Sequence, residues 1–186
     1  MTSIIIHNNE SKAQKIVNEL KNKNPIFVCV IANTETGKIK GISAAGQYPE
    51  ITDYTPPADV EYVLYGKPRC IPFIPVTPEG IPTPAIITRV SLNFANIPMV
   101  VVEGGLKVKP AVPFFTIGGE PGNDIRTGKA VKNVAEVIKR TQILGQTLSK
   151  FSDYLVIGES IAGGTTTALG VLLAMGIDAK YRVSSS

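Results

Sequence analysis

The sequence predicts a single α/β domain over residues 1–186, built on a mostly parallel, doubly wound sheet with helices on both faces. Three observations carry that expectation. Short apolar runs suited to buried strands alternate with helical patterns. Two of these runs end in glycine turns, E-G-G at 103–105 and G-E-S-I-A-G-G-T at 158–165. Hydrophobic residues make up 44% of the chain and charged residues 18%, enough apolar surface for a sizeable core.

In chain order, residues 3–7 read as a strand. Residues 10–23 read as an amphipathic helix, with Ala13, Ile16, Val17 and Leu20 at helical spacing and Asn8 or Asn9 as cap. The run P-I-F-V-C-V-I-A (25–32) is continuously apolar, as in a strand covered on both faces. This β-α-β order favours a parallel sheet of the Rossmann-like kind with right-handed crossovers. Residues 33–54 hold N-T-E-T-G-K and then S-A-A-G-Q-Y-P-E-I-T, a shaped loop of small residues. A helix follows over 55–65, with threonine and proline at its start and Gly66 just past its end. Residues 67–84 are rich in proline and glycine, and an extended piece at 71–76 is confined by Pro72 and Pro75 to a sheet edge.

Thr83-Pro84 opens another helix to about Ala95, with Ile86, Ile87, Val90 and Phe94 on its apolar side. Residues 99–102 form a strand. Residues 106–129 are mostly loop; the stretch T-I-G-G-E-P-G-N-D-I-R-T-G-K reads either as functional or as a solvated connector. A long helix spans 129–151, with Val131, Val134, Ala135 and Ile138 on one face and Gly145 inside. Next come a strand at 154–157, the glycine turn, a helix from Thr165 to Met175 and Gly176 as its C-cap. Residues 179–183 begin one more strand. From a fresh strand followed by polar residues, a sheet incomplete at the C-terminus and a chain that is the N-terminal portion of a longer protein are expected.

Composition excludes several classes. The net charge of +4 is spread without blocks, so nucleic acid is not an expected partner. No run approaches the roughly 20 apolar residues of a membrane-spanning helix, and the short run Ile4 to Ile6 makes no signal peptide, so a cytoplasmic protein is expected. Cys29, Cys70 and the single histidine, His7, cannot supply a zinc site without carboxylates, and no Ser-His-Asp or Cys-His triad fits. No metal and no cofactor are expected. Cys29 reads as a small core hydrophobe.

The turn at 158–165 carries the chemistry. Strand, glycine turn and helix N-terminus together direct free N–H groups and the helix dipole at one spot. The spacing matches G-x-x-x-x-G-x-T, but Gly164 stands where a P-loop has its lysine, which argues against a nucleoside triphosphatase. The turn is also not G-x-G-x-x-G, so dinucleotide binding is not supported. Two readings stay open from spacing alone: a cradle for a single phosphate, or a tight strand-to-helix connection capped by threonines.

The stretch G-E-S-I-A-G-G-T-T-T-A resembles the signature G-E-M-G-I-G-N-T-T-P-A of nicotinate-nucleotide:dimethylbenzimidazole phosphoribosyltransferases. Gly158, Glu159, Gly163, Thr165, Thr166 and Ala168 agree with it. Ser160 replaces a methionine, Ile161 a glycine, Ala162 an isoleucine, Gly164 an asparagine and Thr167 a proline. S-A-A-G-Q-Y-P-E-I-T (43–52) is more faintly similar to a family segment S-x-Y-P-Q-E-V-T, and V-V-V-E-G-G (100–105) to a strand ending in V-V-D-x-G. The likeness is closest to the archaeal, uncharacterised branch of that family, whose members extend well beyond residue 186.

The resemblance implies transfer of phosphoribose from nicotinate mononucleotide to a benzimidazole-type base, in synthesis of the cobamide lower ligand. It places the phosphate at Ser160, Gly163, Gly164, Thr165 and Thr166, and the base near Ser43, Gln47, Tyr48 and Glu50. Glu159 supports the ribose or a cationic centre. The general base is implied to be a glutamate beyond residue 186, and the protein a homodimer. Glu103 and Arg126 are further candidates, Glu103 because ligands of open α/β sheets bind at the carboxyl ends of strands. A non-catalytic nucleotide- or phosphate-binding module of the same fold is the alternative, to which the substitutions at Ile161 and Gly164 point.

Overall fold

A computed structural model describes residues 4–183. Four parallel strands form one sheet in the order β3-β2-β1-β4. These are β1 (Pro25–Ile31), β2 (Met99–Glu103), β3 (Phe115–Thr116) and β4 (Tyr154–Ser160). Five α-helices accompany them among the described residues: α1 (Glu10–Leu20), α2 (Thr55–Tyr65), α3 (Ala85–Ala95), α4 (Val134–Leu148) and α5 (Gly164–Ala174).

The continuous apolar run in β1 makes it a central strand, because both its faces must be covered. On one face Cys29 and Ile31 meet Val101 of β2 and Val60 of α2, with Leu106 and Val112. On the other, Ile26 and Val28 meet Val102, Ile117 and Leu148 of α4, with Val137 and Leu144 packed alongside. The sheet is therefore covered by helices on both faces, as the sequence predicts. Cys29 is one of the core residues, and burial pushes its thiol up to about 12.

Several elements depart from the sequence reading. Ile4 to His7 carry no strand, and Ile4 and Ile5 are exposed; Ser3 lies outside the described residues. The first element is thus α1, which ends at Leu20 rather than Lys23 and buries no residue. Asn9 holds the cap position, but with φ 48° and no side-chain bond to the helix. Residues 71–76 form no strand, only an antiparallel bridge from Val76 to Pro82. The α3 side carrying Ile87, Val90 and Phe94 faces solvent, Phe94 at 87% exposure. Helix α4 starts at Val134, and its Val134 and Ile138 are exposed. Its sequence holds two apolar stripes, and the sheet takes the one through Val137, Leu144 and Leu148. Residues 179–183 form no strand.

Buried Glu61 organises the connections around α2. Its carboxylate accepts the N–H groups of Arg69, Cys70 and Ala111, the last at 2.7 Å. Gly66 ends the helix at φ 79°, and Arg89 of α3 donates to the terminal carbonyl of Tyr62 at 3.2 Å. Burial alone would raise the Glu61 pKa, but the three N–H donors outweigh it and hold the carboxyl below its ordinary value. A carboxyl depressed in this way stabilises the fold above its unfolded pKa, and the contribution is lost as the pH falls through the folded value. Glu61→Ala leaves three N–H groups without their acceptor and is expected to cost about 2–4 kcal/mol in denaturant unfolding near pH 7. The deficit relative to the unsubstituted chain should shrink below about pH 4, as the carboxylate protonates.

Candidate functional site

All four strands point their carboxyl ends the same way, and the loops that leave them stack there. Asn33, just after β1, is buried and ties three of them together. Its Oδ1 accepts the N–H of Lys107 at 2.8 Å, and its Nδ2 donates to the carbonyl of Asp53 at 3.3 Å. Its own N–H donates to Gly105 O, and its carbonyl accepts the N–H of Gly122. The glycine-rich loop is a buttress in this arrangement. Thr34 Oγ1 donates to Asn123 O, and the N–H of Ile125 donates to Thr36 Oγ1 at 3.0 Å. An ion-pair network of Lys38, Lys107, Glu35 and Asp53 closes the outer side, with Lys38 2.9 Å from Asp53.

The strand-to-helix turn is shorter than the sequence suggests, because Gly158, Glu159 and Ser160 belong to β4. At Gly158 a Cβ would stand 2.7 Å from the Phe27 ring, so any other residue would have to displace that ring. The chain turns at Ile161 to Gly163, and α5 begins at Gly164 with Gly163 at φ 82°. Residues 162 and 163 press directly on the backbone at Gly37: a Cβ on Gly37 would stand 2.5 Å from the carbonyl oxygen of Ala162.

A cavity of about 340 Å³ opens between this turn, the loop at 42–46, the first turns of α2 and the 75–84 segment. It brings together Ser43, Glu159, Ser160, Gly163, Gly164 and Thr165 of the residues singled out from sequence. Thr166, Gln47, Tyr48, Glu50, Glu103 and Arg126 do not line it. Tyr48 and Glu50 are exposed, and Arg126 pairs with Asp124 on an outer loop. Glu103 is buried but occupied. It accepts the N–H groups of Gly105 and Leu106 at 2.8 Å, the Thr116 hydroxyl at 2.9 Å and the Lys109 ammonium at 2.8 Å. Burial opposes its ionisation, and these donors more than compensate, so it stays a carboxylate that shapes the E-G-G turn.

Two residues of the cavity escaped the sequence reading, Asp59 of α2 and Thr83 before α3. Asp59 Oδ2 accepts the Ser160 hydroxyl at 2.7 Å and Oδ1 accepts the Thr83 hydroxyl at 2.8 Å. One carboxylate thus joins α2, β4 and the start of α3. The available signal was an acid within the apolar T-P-P-A-D-V-E-Y helix, where a charged side chain needs a partner. A second cavity of about 140 Å³ lies behind, sharing Asp59, Thr83 and Ser160 and reaching Phe27 and Met99.

The cavity walls are mostly apolar, and neither Lys nor Arg lines them. Its charges are Asp59 and Glu159. The Glu159 carboxylate lies 3.1 Å from where a Cβ on Gly164 would stand, so only glycine fits at 164 without displacing it. Burial raises the Glu159 pKa, and the N–H of Ile161 partly offsets this. Burial also raises Asp59, to about 6, against the two hydroxyl donors that lower it. The first turn of α5 leaves N–H groups without helical partners, as every helix start does. Among the described residues, the Thr166 hydroxyl is buried without a hydrogen-bond partner. The arrangement can hold a small anionic group at the helix start and an apolar, N–H-bearing or cationic group against the two carboxyls. No group of three or more His, Cys, Asp or Glu side chains among the described residues could hold a metal ion.

A carboxyl whose folded pKa lies above its unfolded value stabilises the fold while protonated. That contribution is whole below about pH 4 and is lost as the pH rises through about 6. Asp59→Asn is therefore expected to gain stability relative to the unsubstituted chain between pH 4 and pH 7, by on the order of 1–3 kcal/mol. Paired denaturant melts at pH 4, 5.5 and 7 measure it, and a difference that stays constant with pH counts against the assignment.

No family model matches the chain. It is 50% identical over 167 residues to a UPF0284 protein of Methanothermobacter thermautotrophicus, a match covering 88% of this chain and 46% of the relative. It is 51% identical over 161 residues to a UPF0284 protein of Thermococcus kodakarensis, covering 86% and 48%, and 47% identical over 170 residues to one of Archaeoglobus fulgidus, covering 90% and 50%. That name states no activity. The chain is thus similar to UPF0284 proteins and spans about half the length of these curated relatives.

Proposed function

We propose that the cavity is a mononucleotide site of the phosphoribosyltransferase kind. In this reading phosphoribose passes from nicotinate mononucleotide to a benzimidazole-type base, as in synthesis of the cobamide lower ligand. The observation that carries the reading is the shared cavity. The turn that resembles the family's phosphate cradle and Ser43 to Gly46, the first part of the 43–52 stretch that resembles its base segment, are far apart in sequence, yet they line one space that also holds two carboxyls, while Gln47, Tyr48 and Glu50 stand outside it.

The chemistry asks for three things. The 5′-phosphate must be fixed; the N–H groups of the first α5 turn, the Thr165 hydroxyl and the helix dipole suit a single phosphate. The acceptor must lie behind the ribose, and the apolar wall at Ile42 to Ala45 suits a flat heterocycle. Positive charge gathers at the anomeric carbon as the nicotinate leaves, and Glu159 at the edge of the cradle is placed to stabilise it. The reading carries with it a homodimer working in the cytoplasm. Among the described residues no helix is long and apolar enough to cross a membrane.

One observation favours a binding module without turnover. The Glu159 carboxylate stands against Gly164 and accepts the N–H of Ile161, so an acid already occupies part of the cradle. Binding and turnover distinguish the two. Nicotinate mononucleotide titrated into this chain should shift the amide resonances of Gly163 to Thr166, and Thr165→Val should weaken binding about tenfold, or ~1.4 kcal/mol. Release of nicotinate on adding 5,6-dimethylbenzimidazole to a full-length relative supports the transferase, and binding without release supports the module. Shifts confined to other parts of the chain would overturn both.

A further inference from the structure

The free side of β4 is unlike a protected sheet edge. Exposed edges in stable domains are short, charged, bulged or broken by proline. Strand β4 runs seven residues, Tyr154–Ser160, and pairs with β1 along its whole length. Its opposite side has no strand among the described residues. On its two faces Ile157 is 72% exposed and Val156 41%. The helix that follows is apolar all round, and α5 buries no residue. Val171, Leu173 and Met175 are exposed, as are Ile138 and Ile143 of α4. A helix of that composition needs cover on more than one side, and an apolar surface of this extent marks a contact.

The connections say what kind of contact. From β1 to β2 the chain moves one place toward the β3 edge, with α2 packed on the face that holds Cys29 and Ile31. From β3 to β4 it moves the other way across the sheet, with α4 packed on the face that holds Ile26 and Val28. Opposite directions over opposite faces are crossovers of the same hand. A strand added outside β4 after α5 keeps that hand if α5 lies on the face of α4. Ile157 is in register with Val28 and so belongs to that face. Gly170 of α5 already adjoins Ile125, in the segment that leads to α4, with a Cβ position 3.4 Å from its Cδ1.

We infer that the free edge of β4 and the apolar surface of α5 are an interface for the half of the UPF0284 relatives that this chain does not span, which adds a fifth parallel strand beside β4. The length fits, since about half of each relative lies outside the match. Because the added strand is parallel, its carboxyl end stands next to Ser160, and the loop after it supplies a further wall to the cavity. This inference does not depend on what the cavity binds.

Hydrogen exchange tests it on two intact proteins, this chain and the full-length Methanothermobacter relative. The segments aligned with β4 and α5 are expected to exchange at least tenfold more slowly in the relative, while β1 and β2 differ little. Equal exchange in the two proteins overturns the inference. In a second measurement this chain is co-expressed with the remaining half of the relative. Co-purification that is lost on Ile157→Lys, with the melting of this chain alone unchanged, supports it. If instead this chain forms a dimer that protects β4 and that Ile157→Lys dissociates, the occupant is a second copy and the inference fails.

Discussion

The site depends on a contact between two stretches of bare backbone. Gly37, just after β1, lies against Ala162 and Gly163, just after β4, with no side chain between them. Neighbouring parallel strands bring their outgoing loops side by side, and here they approach closely enough to leave no room for a Cβ on Gly37. A methyl group at 37 meets a carbonyl, and Gly163 holds a left-handed φ that L side chains rarely adopt. The contact sets where α5 begins, and therefore where its free N–H groups point. Asn33 and the 122–125 stretch hold the other partner in place from behind.

Four acids near the sheet illustrate how surroundings divide one functional group into separate roles. Glu61 and Glu103 are almost wholly buried, yet each is surrounded by donors, so each is a fixed carboxylate that orders loops. Asp59 receives two hydroxyl donors and no cation, so burial dominates and the proton is held up to about pH 6. Glu159 has a single backbone donor, and its pKa too is raised. The structural acids are those with full sets of partners. The acids that remain free to exchange a proton or meet a ligand are the two in the cavity.

The architecture also explains why so much apolar surface lies open. The sheet's core is complete around β1, which has neighbours on both sides and helices on both faces. Away from that centre, α5 and the outer stripe of α4 are apolar and uncovered. Among the described residues, the surface on the β4 side of the cavity is therefore the least covered. The same edge is where a parallel sheet grows by adding another crossover unit.

The sequence by itself determined the parallel α/β class, a strand at 25–31 covered on both faces, the span of α2 and a glycine turn between a strand and a helix, but it began that turn at Gly158, which belongs to β4. Each rests on local signals: a continuous apolar run, proline and glycine at helix ends, small residues between strand and helix. It misjudged residues 4–7 and 179–183, where apolar residues at strand spacing find no neighbour to pair with. It chose the wrong stripe of α4, because two stripes of similar apolarity exist and only the sheet selects one. It also missed Asp59 and Thr83, which lie far along the chain from Ser160. Only the tertiary structure decided that these residues, the turn and the loop at 42–46 share a cavity, because an acid in an apolar helix signals that it needs a partner but not which distant residues of β4 and the start of α3 supply it.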